Sequence, residues 1–311
     1  MSLLKRNNEE LNTAVLFLVF NRPDATKQVF EAIRKAKPPR LYVAADGPRI
    51  SKDGEAQLVQ QVRSIATNVD WDCEVKTLFR DENLGCKYAV SGAITWFFQQ
   101  EEQGIILEDD CLPSQSFFLF CEELLRRYKD DLRVWHISGN NFQNGVKRGE
   151  SSYYFSKFNH IWGWASWANR WSNYDVEIKS YDSFIANNVL NDLFELDQDK
   201  KYWSNIFDLV NNGKIDTWDY QWTYTVWVNS GLSVLPNKNL VSNIGFGPTA
   251  THTKDIESYH SRLSGLDLSF PISHPIFIVK NSTADKITAL KTFTKGKLIS
   301  RAFNKLKKIL R

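Results

Sequence analysis

The chain is poor in cysteine. Four occur in 311 residues, Cys73, Cys86, Cys111 and Cys121, with no Cys-x-x-Cys pair and no metal-finger spacing. That excludes a disulfide framework and a structural zinc site, and leaves four free thiols suited to a reducing compartment. Neither a Gly-x-Gly-x-x-Gly nor a Walker-type loop is present, which argues against a dinucleotide enzyme and a P-loop NTPase. Long apolar runs are missing too. Ala14–Phe20 is short and stops at Asn21-Arg22-Pro23, and nothing approaches the roughly 20 residues of a membrane-spanning helix. Lys5 and Arg6 are followed at once by Glu9 and Glu10, so no secretory leader is read there. The expected location is cytoplasmic.

Acid is lacking in one region only. Between Lys286 and Arg311 lie nine of the 39 basic residues and no acidic one, leaving 30 basic against 36 acidic residues before it, a net of −6. The mildly acidic body argues against nucleic acid as a partner. In the tail, Leu298, Ile299, Ala302, Phe303, Leu306, Ile309 and Leu310 recur at helical steps among lysines and arginines. A basic amphipathic helix of that kind either lies on an anionic membrane at the inner face of the plasma membrane or packs on protein.

What is abundant is aromatic: eleven Trp, eleven Tyr and 20 Phe. Such rings fill cores, and they also make apolar platforms with polar rims in binding pockets.

Apolar runs at Ala14–Phe20, Leu41–Ala45, Cys73–Leu78 and Gly104–Leu107 alternate with helical patterns over Ala25–Lys37, Glu55–Ala66 and the stretch through Trp96–Phe98. This β-α-β-α-β-α-β order predicts a doubly wound, mostly parallel α/β sheet flanked by helices. A compositional shift near residue 150 suggests halves at 1–150 and 151–280, followed by a tail at 281–311. The stretch Asp182–Asn212 reads as polar surface helix.

The organising stretch is Gly104-Ile-Ile-Leu-Glu108-Asp109-Asp110-Cys111. A strand buried on both faces cannot carry three unpaired carboxylates, so they must sit where it leaves the sheet. That carboxyl edge is where open α/β sheets bind ligands. Clustered hard oxygens suit Mg²⁺ or Mn²⁺, which take one or two carboxylates and complete their shell with phosphate and water. The plain alternative is an acidic loop start.

Other strand ends supply Asn21, Asp46 and Arg80–Gly85. Asn21 and Asp46 could equally cap a turn or helix, Gly85 could only supply a positive φ, and Lys87 could be a solvated helix residue. Trp162-Gly163-Trp164 reads either as a pocket wall or as a tryptophan-rich core corner. His160 reads as structural. Asp219, near a helix start, either caps it or serves as a base with a raised pKa. His252, in a Ser/Thr-rich loop, is either a ligand or a hydrogen-bonded loop residue.

The Glu-Asp-Asp stretch resembles the acidic "DXD" element of GT-A nucleotide-sugar glycosyltransferases, and its form is similar to that of the N-acetylglucosaminyltransferase I family and its bacterial relatives. Asn21, Asp46, Asn83–Gly85, Glu108–Asp110, Trp-Gly-Trp, Trp-Asp-Tyr-Gln-Trp and Ala-Thr-His-Thr stand in the order of those bacterial proteins, over roughly residues 13–280. The resemblance implies a donor site of Asn21, Arg22, Asp46, Asn83, Gly85, Lys87, Glu108 and Asp109. It implies Asp110 and His252 as ligands of Mn²⁺ or Mg²⁺, and Asp219 as catalytic base with Asp216 as its substitute. Trp162, Gly163 and Trp164 would border the acceptor.

The function so implied is an inverting, metal-dependent hexosyl- or N-acetylhexosaminyltransferase. It would act from a UDP-sugar on a glycan or lipid-linked glycan, in bacterial surface polysaccharide synthesis. A catalytically silent carbohydrate-binding or toxin-like protein of the same fold is the alternative, and a glycoside hydrolase is a more distant one.

Overall fold

A computed structural model describes residues 11–246 and 263–292. The first half follows the predicted order: β1 (Val15–Val19), α1 (Pro23–Ala36), β2 (Arg40–Ala45), α2 (Glu55–Ala66), β3 (Glu74–Phe79), α3 (Gly85–Phe98) and β4 (Gln103–Glu108). β5 (Cys111–Pro113), α4 (Gln115–Tyr128) and β6 (Val134–Ser138) come next, then β7 (Tyr153–Ser156) and β8 (Trp164–Trp167). Helices α5 (Ala168–Trp171), α6 (Tyr181–Ala186), α7 (Val189–Leu193), α8 (Asp197–Asn211) and α9 (Asp219–Val228) form a largely helical run. The chain returns through β9 (Leu232–Pro236) and β10 (Val241–Asn243), and α10 (Ser282–Thr292) follows residues 263–281.

Eight strands make one sheet in the order β3-β2-β1-β4-β8-β6-β9-β7. Pairs β1–β2, β2–β3, β1–β4 and β6–β9 are parallel, whereas β8 and β7 run against their neighbours. The sheet is therefore mostly parallel and Rossmann-like, as the strand pattern predicts. Strands from both sides of residue 150 interleave in it, because β8 lies between β4 and β6.

Strict alternation explains the two layers. Val15, Phe17 and Val19 of β1 face a core built with Val29 and Phe30 of α1, Val62 of α2 and Phe117 of α4. Leu16 and Leu18 face the other way, onto Ile94 and Phe97 of α3 and an aromatic mass from β8, α8 and α9. A strand with a helix layer on each face must be apolar throughout, and β1 is buried at every position. The edge strand β3 instead carries exposed Glu74 and part-exposed Lys76, which discourages pairing with another chain.

The polar stretch Asp182–Asn212 is not simply a surface. Phe184, Trp203, Phe207 and Val210 are buried in the second core, so α6 and α8 present an apolar stripe inward and keep their charges outside.

No described helix is long and apolar enough to cross a membrane. His252 and the amphipathic pattern of 295–311 lie outside the described residues.

Strand order reverses between β1 and β4, which neighbour each other with Leu18 opposite Glu108. The crevice beyond the carboxyl ends of such a pair is the place an open α/β sheet offers a ligand.

Candidate active site

That crevice holds a cavity of about 500 Å³. Its floor is the end of β4. Glu108 closes the strand, Asp109 and Asp110 turn, and Cys111 begins β5, which pairs with β10. Ile244 N–H donates to the Asp110 carbonyl at 2.8 Å. The three carboxylates are thus fixed where the chain passes from the large sheet to the two-stranded one, and all three line the cavity.

Arg22, just beyond β1, neutralises two of them. Its Nη1 donates to Asp110 Oδ2 at 2.8 Å, its Nε to Asp109 Oδ2 at 3.4 Å, and its Nη2 to Asp109 Oδ1. Phe20 N–H donates to Asp109 as well, at 3.4 Å. Burial pushes the Asp109 carboxyl up to about 6 against the pull of Arg22. Burial, and then the charges of Asp110 and Asp109, push Glu108 up to about 8. Burial alone would lower the Arg22 pKa, but the two aspartates outweigh it and hold the guanidinium firmly charged.

The loops after β2 and β3 form the adjoining wall. Asp46 accepts from the backbone N–H groups of Leu84 and Gly85 at 3.0–3.1 Å, and burial raises its pKa. Asn83 Nδ2 donates to the Gly47 carbonyl at 2.8 Å. Asn21 Nδ2 donates to Glu55 Oε1 at 2.9 Å, and the hydrogen bonds of Arg49 hold Glu55 down at about 2. Asn21, Asp46 and Asn83 therefore border the cavity while also tying its loops together.

The start of α3 is held by a second carboxylate from far along the chain. Asp216 accepts from the N–H groups of Cys86 at 3.1 Å and Lys87 at 2.8 Å, two of the donors a helix leaves unpaired at its first turn. Gly85 sits at φ +76°, and a Cβ there would lie 2.7 Å from Asp216 Oδ2. Positive φ and close approach together require glycine. Asp216 thus works as a clamp on α3, and it lines the cavity as well.

Asp219 opens α9 and lines the same cavity. The Thr217 hydroxyl donates to its Oδ1 and so fixes the side-chain rotamer. A segment more than a hundred residues beyond the acidic triplet thereby brings a carboxylate to face it.

Three expected site residues, Lys87, Gly163 and Trp164, do not line the cavity. Lys87 is 8% exposed, and its Nζ pairs with Glu177 at 3.0 Å, so its charge is spent on structure rather than on a donor phosphate. Trp164 is fully buried, stacked on Trp218 at 5.6 Å and on His136 at 5.1 Å, and cannot serve as a platform. Of the Trp-Gly-Trp stretch only Trp162 lines the cavity, braced edge-on by Phe142 and Phe246. Gly163, at φ +66°, makes the turn between the rings, and a Cβ there would meet Val241 at 2.8 Å. His160 packs against Phe142 at 4.2 Å.

Arg49, Thr217 and Asn243 line the cavity without having been anticipated. Arg49 follows the Asp46-Gly47-Pro48 turn and could have been found as a strand-end cation. Asn243 arrives only through the pairing of β10 with β5, for which nothing local in the sequence gives a sign.

Among the described residues no group of three or more His, Cys, Asp or Glu side chains is arranged to hold a metal ion. The donor chemistry still fits a hard divalent cation that uses one carboxylate and the oxygens of its substrate. Asp110 suits this better than Asp109, which is 2% exposed and engaged at both oxygens.

No protein-family profile and no curated protein matches the sequence. Among solved structures the chain is similar to UDP-glucose pyrophosphorylase complexed with UDP-glucose, at 9% identity over 52% of this chain and 78% of that one, with a TM-score of 0.31. It is also similar to HddC from Yersinia pseudotuberculosis, at 11% identity over 52% and 80% of the two chains and a TM-score of 0.33. The glycosyltransferase GlyE of Streptococcus pneumoniae TIGR4 is 12% identical over 67% of this chain and 51% of its own, with a TM-score of 0.31. Likenesses at this level carry no argument about activity. The α/β assignment rests on the strand order itself.

Proposed function

We propose that the chain is an inverting, metal-dependent glycosyltransferase that moves a sugar from a UDP-sugar to a hydroxyl of a glycan or lipid-linked glycan. The observation that carries the reading is the meeting of Asp219, from the start of α9, with Glu108–Asp110, from the end of β4, in one cavity. A transferase of this kind needs anionic ligands for a cation at the leaving group, and a base on the opposite side of the anomeric carbon. The resemblance of the motif order to bacterial GT-A proteins points the same way, and the transferred group would be a hexose or an N-acetylhexosamine.

In this reading the nucleotide lies along the carboxyl ends of β1 and β2, bordered by Asn21, Asp46 and Asn83. Arg22 and Asp110 stand toward the diphosphate, and Trp162 flanks the acceptor. Mn²⁺ or Mg²⁺, held by Asp110 and by His252 if the resemblance extends to it, would offset the charge of the departing diphosphate. Asp219 takes the proton from the acceptor hydroxyl, while Thr217 keeps its carboxylate oriented. Trp162, flanking the acceptor, would help keep water from the reacting centre and so limit loss of donor to hydrolysis.

The test is thermal stabilisation by UDP with and without Mn²⁺, followed by turnover with a panel of UDP-sugars. Metal-dependent stabilisation and donor consumption are expected. Absence of any UDP effect under either condition overturns the donor assignment, and stabilisation without turnover leaves a silent binder.

A further inference from the structure

Ser138-Gly139-Asn140, where β6 ends, reads in sequence as a plain polar loop, and the proposed chemistry makes no use of it. In the fold all three residues are buried and grip the chain on both sides of Trp162. Ser138 Oγ donates to the His160 carbonyl at 2.7 Å. Gly139 N–H donates to the Gly163 carbonyl at 2.8 Å. Between these two contacts, Asn140 Oδ1 accepts from the Trp162 N–H at 3.1 Å.

The other side of the same loop holds β10. Leu240 N–H donates to the Gly139 carbonyl at 2.8 Å, and Asn140 Nδ2 donates to the Val241 carbonyl at 3.3 Å. Asn140 N–H donates in turn to Ser138 Oγ at 3.0 Å, which fixes that hydroxyl between two partners. A Cβ on Gly139 would collide with Val241 and lie 3.0 Å from the Gly163 carbonyl, so only glycine permits the approach.

One buried amide therefore spans two walls of the cavity. Trp162 stands on one, and β10, whose Asn243 lines the cavity, forms the other. Burying an amide is costly unless its groups are paired. Here both ends are paired, across β8 and β10, which belong to different sheets. A satisfied buried network of this kind holds one geometry against its alternatives.

We propose that Asn140 is a positioning residue that sets Trp162 against the cavity and so shapes its acceptor side. Asn140 does not line the cavity itself and acts through the Trp162 backbone. The kinetic consequence rests on the glycosyltransferase reading. The dependence of the Trp162 ring on Asn140 does not.

The experiment labels the full chain with fluorotryptophan and follows its eleven indoles by fluorine NMR, with Trp162→Phe identifying the Trp162 signal. In Asn140→Ala that signal should shift or broaden while most others hold. Asn140→Asp, which keeps an oxygen for the Trp162 N–H, should return it toward its place. In turnover, Asn140→Ala should raise the acceptor KM about tenfold, the worth of one hydrogen bond, with kcat and thermal stabilisation by UDP nearly unchanged. An unmoved Trp162 signal, a shift of all the signals together, or a fall in kcat at constant KM overturns the proposal. Should Asn140→Ala fail to fold, Ser138→Ala removes the hydroxyl that Asn140 N–H reaches and carries the same comparison, with a smaller shift expected. Absence of any UDP effect on the unchanged chain ends the transferase reading instead, and the fluorine spectra still decide the role of Asn140.

Discussion

Arg22 and Asp110 are joined by a hydrogen bond of 2.8 Å from Nη1 to Oδ2, and the same guanidinium holds Asp109. One cation therefore balances two carboxylates at the end of a buried strand. Replacing Arg22 by methionine keeps the volume and removes the charge. Breaking a buried pair from one side costs about 3–5 kcal/mol, and urea unfolding at neutral pH should show a loss of that order. The abandoned Asp109 can escape by taking a proton, so the loss should shrink as pH falls toward 5. A loss that stays constant with pH would mean that the arginine stem, not its charge, supports the site.

Asp110→Asn tests the metal assignment directly. The side chain keeps its shape and its place beside Arg22, so the melting temperature should change little. Turnover should vanish, and UDP binding should lose its dependence on Mn²⁺ in titration calorimetry. Normal Mn²⁺-dependent activity in this variant would remove Asp110 from the metal site.

Asp219→Asn separates chemistry from binding. Donor affinity should hold, while transfer falls by roughly two to four orders of magnitude, the scale of a lost general base. Were UDP affinity to collapse instead, Asp219 would belong to the donor pocket.

Asp216→Ala should behave as a structural lesion. It strips the acceptors from two N–H groups at the start of α3, a change worth about 1–2 kcal/mol by analogy with helix caps. Asparagine restores one of the two acceptor oxygens and should recover part of that stability, read as the shift in urea midpoint. A catalytic role would leave stability alone and depress turnover in both variants.

The strands that carry the site were legible because they are buried on both faces. β1, β2 and β4 announce themselves as unbroken apolar runs, and a carboxylate triplet after such a run can only lie at the sheet edge. Less was legible wherever partners are distant in sequence. Trp162 and Trp164 look alike on paper, yet only the insertion of β8 between β4 and β6 decides that one ring lines the cavity and the other is entombed. Asp216 and Asp219 stand three residues apart and both line the cavity, yet that only Asp216 also clamps a helix depends on where α3 begins. Lys87 reads as a donor-site or solvated helix residue, and its pairing with Glu177, 90 residues away, has no local sign in the sequence. The stripe of Trp203, Phe207 and Val210 was present at helical spacing but hidden by polar neighbours.

His136 gives a prediction about acid. It lies fully buried on β6 between two partners, its Nε2 at 2.9 Å from the His160 carbonyl and its Nδ1 accepting from Trp222 Nε1 at 3.2 Å. Those contacts suit the neutral ring with its proton on Nε2. Burial is the main cause that lowers its pKa to about 4, from an ordinary value of 6.5. The unfolded chain therefore binds a proton more readily than the folded one between those values. The stability tied to the neutral ring is fully present above pH 6.5 and is lost as pH falls toward 4. At its full extent the loss is on the order of 3 kcal/mol. His136→Gln gives up some packing against Trp164 and should be less stable at pH 7.5. Its unfolding free energy should nevertheless decline more gently than that of the unchanged chain between pH 6.5 and 4. Urea melts across that range make the comparison, and parallel declines in the two chains would show that other groups govern the acid response.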